Sequence, residues 1–172
     1  EAVGVAMTPI DVSVLSELGT SSVFALTGTL PAGLVFDTAT GTISGTPETV
    51  TAAATFTITA SVQIGSETKT ASTTVTIGVT LPLQATLVLS GGSAIVGTPV
   101  TVSTTGGSGT GNISYTVTGG TAAGCTVDAQ GEVNATGVGT CIVRATKDGA
   151  SLFASATSAP VTITFTSATP VT

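Results

Sequence analysis

Apolar and polar side chains alternate along most of the chain. In residues 55–62 the even positions hold Phe56, Ile58, Ala60 and Val62, and the odd positions hold Thr or Ser. Successive side chains of a β-strand point to opposite faces, so this period of two indicates a strand with one buried face. No stretch repeats its apolar residues at helical spacing, and the pattern therefore predicts an all-β chain with almost no helix. The same alternation recurs around Val75, Ile77 and Val79, around Val100 and Val102, around Ile113, Tyr115 and Val117, and around Val161, Ile163 and Phe165.

Turn residues separate these strands at short intervals. Residues 37–41 (Asp-Thr-Ala-Thr-Gly) and 128–131 (Asp-Ala-Gln-Gly) each combine an Asp, which can close a turn through its side chain, with a Gly that is free to adopt positive φ. Residues 64–67 (Ile-Gly-Ser-Glu) form a third connection, which links the strand around Phe56 to the strand around Val75. We therefore predict three β-hairpins, and short strands with frequent turns are typical of antiparallel sandwiches or barrels.

The length of the chain and one proline indicate two domains. A domain typically has about 100–150 residues, so 172 residues fit one large β-domain or two smaller ones. Pro82 follows the strand that ends near Val79, where it removes a ladder donor and stiffens the backbone. We predict two tandem β-sandwiches, residues 1–81 and 82–172, with a short and semi-rigid junction.

The composition excludes several functions. With Lys+Arg 3, Asp+Glu 9, a net charge of -6 and charged residues at 7%, the chain offers no basic surface for nucleic acid. His is absent, which removes the commonest general base and the commonest metal ligand. No run of 18 apolar residues occurs, so we expect no membrane insertion. Thr and Ser make up about a third of the residues, so we expect a surface rich in hydroxyl groups and poor in charge. Contact between copies through this surface is favoured, because few ions are desolvated.

A dense signature lies in the first half of the chain. Residues 30–37 (Leu-Pro-Ala-Gly-Leu-Val-Phe-Asp) and 40–47 (Thr-Gly-Thr-Ile-Ser-Gly-Thr-Pro) resemble the Ig-like repeat of bacterial surface proteins, also described as cadherin-like, with the signature LPxGLxFDxxTGxIsGTP. The resemblance extends more loosely over residues 3–79. Many such repeats carry an Asp-containing turn between their last two strands that takes part in calcium binding. This chain has Val-Gln-Ile-Gly-Ser at residues 62–66, so we expect neither calcium nor another cofactor.

The second half resembles a different repeat. Residues 125–128, 131–136, 139–146 and 159–163 are similar to bacterial Ig-like modules of the adhesin and intimin type, with the pattern xVdxxGxVtAtgxGtxxItAt. The two resemblances together imply a fold of two tandem Ig-like antiparallel β-sandwiches, a cadherin-like one at residues 1–81 and a bacterial Ig-like one at residues 82–172. They also imply an extracellular protein of the bacterial cell surface with a structural or adhesive role.

The two cysteines, Cys125 and Cys141, lie on the inward register of their strands, with Val127 and Val143. In an exported β-domain an even number of cysteines usually indicates a disulfide, so we predict a Cys125–Cys141 bridge. Two buried free thiols are the alternative. A metal site would need further ligands, because no His and no third Cys are present.

Two loops of the second half are candidates for ligand binding. They are residues 106–111, which are rich in Gly, and residues 147–153, in which Leu152 and Phe153 lie outside a regular strand. A sandwich commonly binds its partner through loops at one end. An internal amide crosslink is a further alternative, from Lys69 to Asp11 or Asp37 in the first half, or from Lys147 to Asn112 or Asn134 in the second.

The sequence therefore predicts a non-catalytic extracellular protein that is a stalk or fibre subunit of a bacterial surface adhesin or filament. The expected partners are copies of the chain or neighbouring Ig-like modules. The alternative is a ligand-binding module for a glycan or a host protein, within a surface protein or a secreted enzyme. No nucleic-acid partner and no catalytic residue are expected.

Overall fold

The computed structural model describes residues 1–10, 22–150 and 152–168. The described residues contain fifteen β-strands and no helix, which confirms the all-β prediction. No helix among them is long and apolar enough to cross a membrane. The chain divides into two compact units, Glu1–Pro82 and Leu83–Thr172, each with its own hydrophobic core. That the units are independent domains stays a prediction.

The described residues of the first unit form two antiparallel sheets. The larger one has the strand order β1-β4-β5, and the smaller one pairs β2 with β3. An antiparallel bridge joins Ile10 to Ile43, and Met7 N donates a hydrogen bond to Gly45 O at 3.0 Å, so the N-terminal segment extends the smaller sheet. The strands are β1 (Val23–Thr27), β2 (Leu34–Phe36), β3 (Ile43–Gly45), β4 (Thr51–Ile64) and β5 (Glu67–Val79).

The core of the first unit forms where inward side chains of the two sheets meet. The alternation in residues 55–62 is confirmed, because the even residues of this stretch are buried and the odd residues are half-buried or exposed. Apolar burial on this scale is the main stabilising term for a domain of this size. The buried residues are Met7, Phe24, Leu34, Ile43, Phe56, Ile58, Ala60 and Ile77.

The first predicted hairpin, which joins β2 to β3, is confirmed, and its turn explains the signature residues. Asp37 Oδ1 accepts hydrogen bonds from the N–H groups of Ala39 at 2.8 Å and Thr40 at 3.3 Å, while Gly41 adopts φ 74°. The third hairpin, at residues 64–67, is also confirmed, since β4 and β5 pair from Ile64 opposite Glu67.

Two glycines of the signature lie where β2 and β3 approach closely. Gly45 has φ 126°, and a Cβ atom at this position would overlap the carbonyl oxygen of Gly33. A Cβ at Gly33 would in turn overlap the carbonyl oxygen of Thr46, whose N–H donates a hydrogen bond to Gly33 O at 3.1 Å. Only glycine fits this contact without strain, because it has no Cβ and tolerates positive φ. The Gly-Leu and Ser-Gly-Thr parts of the signature are therefore a packing requirement.

In the second unit, the strands of residues 83–150 and 152–168 form three sheets. The largest has the order β10-β13-β15-β7, with β14 paired to β13; the others are β11-β12-β8 and β6-β9. The hairpin at residues 128–131 joins β11 to β12, as predicted: Asp128 Oδ1 accepts from Gln130 N at 2.9 Å and Glu132 N at 2.8 Å. The strands are β6 (Leu87–Ser90), β7 (Ser93–Ile95), β8 (Val100–Thr101), β9 (Ser103–Gly106), β10 (Ile113–Gly120), β11 (Thr126–Val127), β12 (Glu132–Asn134), β13 (Gly139–Lys147), β14 (Ala156–Thr157) and β15 (Val161–Thr166).

The core of the second unit is built from inward residues of all three sheets. Ser158 is buried as well, and its hydroxyl donates to Ala159 O at 2.8 Å and accepts from Ala145 N at 3.0 Å, so its burial is compensated. Tyr115, the one tyrosine of the chain, packs half-buried against this core. The buried apolar residues are Leu87, Leu89, Val102, Val133, Ala135, Cys141, Val143, Ala145, Ile163 and Phe165.

Candidate functional site

In the first unit, the N-terminal segment and the end of β5 are paired in parallel. Ala2 bridges Thr80. Three backbone hydrogen bonds of 2.9 Å hold this pair, from the N-terminal amine of Glu1 to Gly78 O, from Thr80 N to Glu1 O, and from Val3 N to Thr80 O. We name these residues the first terminal pair. Val3 is buried, so the segment is also anchored by packing.

The second unit repeats this arrangement. Strand β7 pairs in parallel with β15, with Ser93 opposite Thr164, Ala94 opposite Phe165 and Ile95 opposite Thr166. Val96 N extends the ladder by donating a hydrogen bond to Thr166 O at 2.9 Å. We name β7, Val96 and β15 the second terminal pair. In both units, therefore, a segment near the beginning lies parallel to the final strand.

The parallel orientation determines how a unit resists tension. When two parallel neighbours are pulled from the N-terminal end of one and the C-terminal end of the other, they slide along each other. The ladder hydrogen bonds of a parallel pair are evenly spaced. Sliding loads them together, whereas pulling at adjacent ends of a hairpin breaks its hydrogen bonds one at a time. Both terminal pairs have the orientation that shares the load.

The Cys125–Cys141 disulfide joins two sheets of the second unit. Cys141 is fully buried in β13, and Cys125 is half-buried immediately before β11. The two Cα atoms are 5.8 Å apart, which lies within the usual range for a disulfide. The bridge closes a loop with a sequence separation of 16 residues, and a loop of this length stabilises a fold by about 3 kcal/mol in the chain-entropy model.

The side chain of Gln84 fixes the two candidate ligand loops. Its Nε2 donates hydrogen bonds to Asp148 O at 3.0 Å, Ala154 O at 2.9 Å and, at 3.4 Å, Lys147 O. Its Oε1 accepts a hydrogen bond from Ser108 N at 3.1 Å. The sequence pattern does not predict this role, because an isolated Gln gives no local signal. The amide therefore connects Ser108 of the first loop with Lys147, Asp148 and Ala154 at the two ends of the second.

Phe153 is part of this connection. Its ring is half-buried, and a Cβ placed on Gly109 would lie 3.1 Å from Phe153 Cδ2 and 3.2 Å from Ala150 Cβ. Phe153 N also donates a hydrogen bond to Ala150 O at 3.0 Å. Leu152, in contrast, is 55% exposed. Phe153 therefore stabilises the loops, and ligand binding by Leu152 and Phe153 stays a prediction.

Hydroxyl groups cover the outer face of β4 and β5. At four successive positions, a Thr or Ser of β4 lies opposite a Thr or Ser of β5. Thr55 Oγ1 and Thr76 Oγ1 are 3.0 Å apart, and Thr59 Oγ1 and Ser72 Oγ are 2.9 Å apart. Cross-strand hydroxyl pairs of this kind stabilise a sheet modestly. The four pairs are Thr55 with Thr76, Thr57 with Thr74, Thr59 with Ser72, and Ser61 with Thr70.

A small pocket of about 250 Å³ lies in the first unit beside the start of β4. Leu30, Pro31, Phe56 and Ile77 give it an apolar lining. Thr51 Oγ1, which also lines it, is buried and has no hydrogen-bond partner among the described residues. The described lining contains no titratable side chain, so the pocket presents no acid–base pair.

Among the described residues, the ion pair between charged side chains lies at the start of β5. Hydrogen bonds from Ala39 N and from Thr40 lower the pKa of Asp37 below its usual value. Lys69 Nζ is 2.8 Å from Glu67 Oε2. Asp11, one of the two residues predicted as crosslink partners of Lys69, lies outside the described residues. No group of three His, Cys, Asp or Glu side chains that could hold a metal ion occurs in residues 1–10, 22–150 and 152–168.

Comparison with protein families identifies the first unit. Residues 3–80 match the family model described as "Putative Ig domain". The first unit is an Ig-like repeat. The Ig-like repeat contains the signature glycines Gly33 and Gly45, the larger sheet and the first terminal pair. No curated protein sequence matches the chain.

Solved structures similar to the chain include cadherins. Human protocadherin-24 EC1-2 has a TM-score of 0.39 and 12% identity, over 87% of this chain and 83% of that chain. Drosophila N-cadherin EC1-4 has a TM-score of 0.41 and 13% identity, over 87% of this chain and 42% of that chain. Mouse cadherin-23 EC22-24 has a TM-score of 0.36 and 19% identity, over 85% of this chain and 54% of that chain. Similarities this low transfer no cadherin property to the chain.

Proposed function

We propose that the chain is a non-catalytic, load-bearing part of an extracellular protein, a stalk or fibre subunit of a bacterial surface adhesin or filament. The observation that carries this proposal is the parallel terminal pair in each of the two units. A spacer is useful only if it stays folded when its ends are pulled, and a parallel terminal pair is the arrangement that loads several hydrogen bonds at once.

Two further features support the proposal. The disulfide is typical of proteins in oxidising compartments outside the cytoplasm, and its loop stays closed when the second unit is stretched. The match of residues 3–80 to an Ig-like family agrees with a structural module, although a fold by itself does not determine a function. The resemblance of the signature to bacterial surface repeats supports the location.

Replacing Val96 with proline tests the second terminal pair. Proline has no N–H, so Val96→Pro removes the hydrogen bond to Thr166 O, which contributes about 1 kcal/mol. When the full chain is held under constant force by its ends, we expect the second unit to unfold several-fold faster than in the wild type. Magnetic tweezers measure this rate directly. The unfolding step of the second unit is recognised because it becomes longer after the disulfide is reduced.

The matched control is Ala129→Pro, in the turn between β11 and β12. Proline is favoured at the second position of such a turn, and the structure gives the Ala129 N–H no hydrogen bond among the described residues. We expect its unfolding rate under force to equal that of the wild type. If Val96→Pro and Ala129→Pro unfold at the same rate, the second terminal pair does not bear the load.

A further inference from the structure

Among the described residues, no strand pairs with the outer edge of β5 over most of its length. In the sheet order β1-β4-β5 this strand is terminal, and within the described part of the chain the N-terminal segment covers only its end, from Gly78 to Thr80. Exposed edge strands readily pair with another chain, and proteins usually protect them with charges, prolines or bulges. Residues 70–76 contain none of these protections, and Lys69 and Glu67 are confined to the start of the strand.

The backbone groups that face this edge can be assigned. Gly78 O and Thr80 N bind the N-terminal segment on the open side of β5. Successive residues of a strand direct their N–H and C=O groups to opposite sides. The even-numbered residues Thr70, Ser72, Thr74 and Thr76 therefore present their backbone groups to the open edge, and their side chains belong to the hydroxyl-covered face.

Residues 70–76 are chemically symmetric about Thr73. If two copies of β5 pair antiparallel with Thr73 opposite Thr73, then Thr70 lies opposite Thr76 and Ser72 lies opposite Thr74. On the other face Ala71 lies opposite Val75. Hydroxyls then meet hydroxyls, apolar side chains meet apolar side chains, and no like charges are opposed within the window. The even residues also face each other in this register, so their backbone groups match as hydrogen-bonded pairs.

We propose that β5 is a self-association edge, at which two copies of the chain pair antiparallel through residues 70–76 with Thr73 on the two-fold axis. The pairing joins the two three-stranded sheets into one six-stranded sheet and continues the hydroxyl face across both copies. A two-fold axis of this kind is the usual symmetry of a homodimer. The inference is independent of the load-bearing role, because a stalk can be monomeric and a dimer need not bear force.

Single cysteines test the register. Cys125 and Cys141 are bonded to each other, so an introduced cysteine is the one free thiol of the chain. Thr73 forms a non-hydrogen-bonded pair with its symmetry mate, at a Cα separation of about 4.5 Å, which a disulfide can bridge. We expect Thr73→Cys in the full chain to form a covalent dimer on mild oxidation. Ala71→Cys alone should not, because residue 71 faces residue 75, but mixing Ala71→Cys with Val75→Cys should give the crosslinked product.

Sedimentation of the full chain provides a second test. The double variant Ser72→Lys with Thr74→Lys places a lysine of each copy opposite a lysine of the other at two positions. We expect the association constant to fall about tenfold because like charges then face each other. Ser72→Glu with Thr74→Lys opposes unlike charges in the same register and should restore association. Ala25→Lys, on the opposite edge strand β1, is the matched control and should leave association unchanged.

The result that would overturn the proposal is equal crosslinking of Thr73→Cys and Ala71→Cys, or a wild-type chain that stays monomeric at its highest soluble concentration. Thr73 is half-buried, so cysteine is tolerated there and the crosslinking result stands even if a charged variant fails to fold. If the chain is monomeric but Val96→Pro still unfolds faster under force than Ala129→Pro, the edge pairing is wrong and the load-bearing role is unaffected.

Discussion

Replacing Gly45 with alanine is expected to lower the free energy of unfolding of the first unit by about 4 kcal/mol. Two effects add. The φ of 126° is strongly unfavourable for any residue with a side chain. In addition, the new Cβ would overlap Gly33 O, so β2 and β3 would have to separate and Leu34 and Ile43 would lose packing. Hydrogen exchange at the amides of β4 in the full chain measures this loss within the first unit.

Gly65→Ala is the control that isolates the close contact. Gly65 also has positive φ, 63°, but a Cβ there would meet no atom within 4 Å. We expect alanine at this position to cost about 1 kcal/mol, the ordinary penalty of a left-handed residue. Equal losses for Gly45→Ala and Gly65→Ala would show that the approach of β2 to β3 is not what requires glycine in the signature.

Removal of the Cys125–Cys141 disulfide is the second change with a large expected effect. Cys125→Ala with Cys141→Ala should lower the free energy of unfolding of the second unit by about 3 kcal/mol, because the unfolded chain is no longer closed into a loop. Tyr115 is the one tyrosine, and no Trp is present, so intrinsic fluorescence reports on the second unit alone. In urea we expect the midpoint of this transition to fall by about 1–3 M.

The first unit provides the control for the disulfide, since both cysteines lie in the second unit. Amide exchange in β4 should be unchanged in the double variant. Reduction should also lengthen the unfolded chain by about 50–60 Å, because the 16-residue loop is released. A variant with the wild-type fluorescence midpoint would contradict the stabilising role of the bridge.

The sequence predicted the parts of the fold that depend on neighbouring residues. The hairpin turns were predictable because Asp37 and Asp128 close their turns with backbone groups only two to four residues away. The buried face of β4 was predictable because its alternation is uninterrupted from Thr55 onwards.

The terminal pairs could not be predicted in the same way. Glu1 and Gly78 are 77 positions apart, and parallel neighbours are not joined by a short turn that would mark them in the sequence. Gln84 was missed for a similar reason, because its partners lie 24 to 70 positions away. The terminal pairs and the hydrogen bonds of Gln84 therefore join residues that are far apart in the sequence. The family signature, in contrast, consists of neighbouring residues and chiefly reflects the packing of β2 against β3.

If each unit bears load through its parallel terminal pair, its resistance to unfolding depends on the direction in which it is pulled. In one experiment the full chain is pulled by its two ends. In the other it is pulled through cysteines introduced at Val50 and Thr80, which lie beside the adjacent ends of β4 and β5. In that geometry, tension separates the two strands one hydrogen bond at a time. We predict that the first unfolding event requires a higher force in end-to-end pulling than in hairpin pulling. An equal or lower force in end-to-end pulling would contradict the load-bearing account.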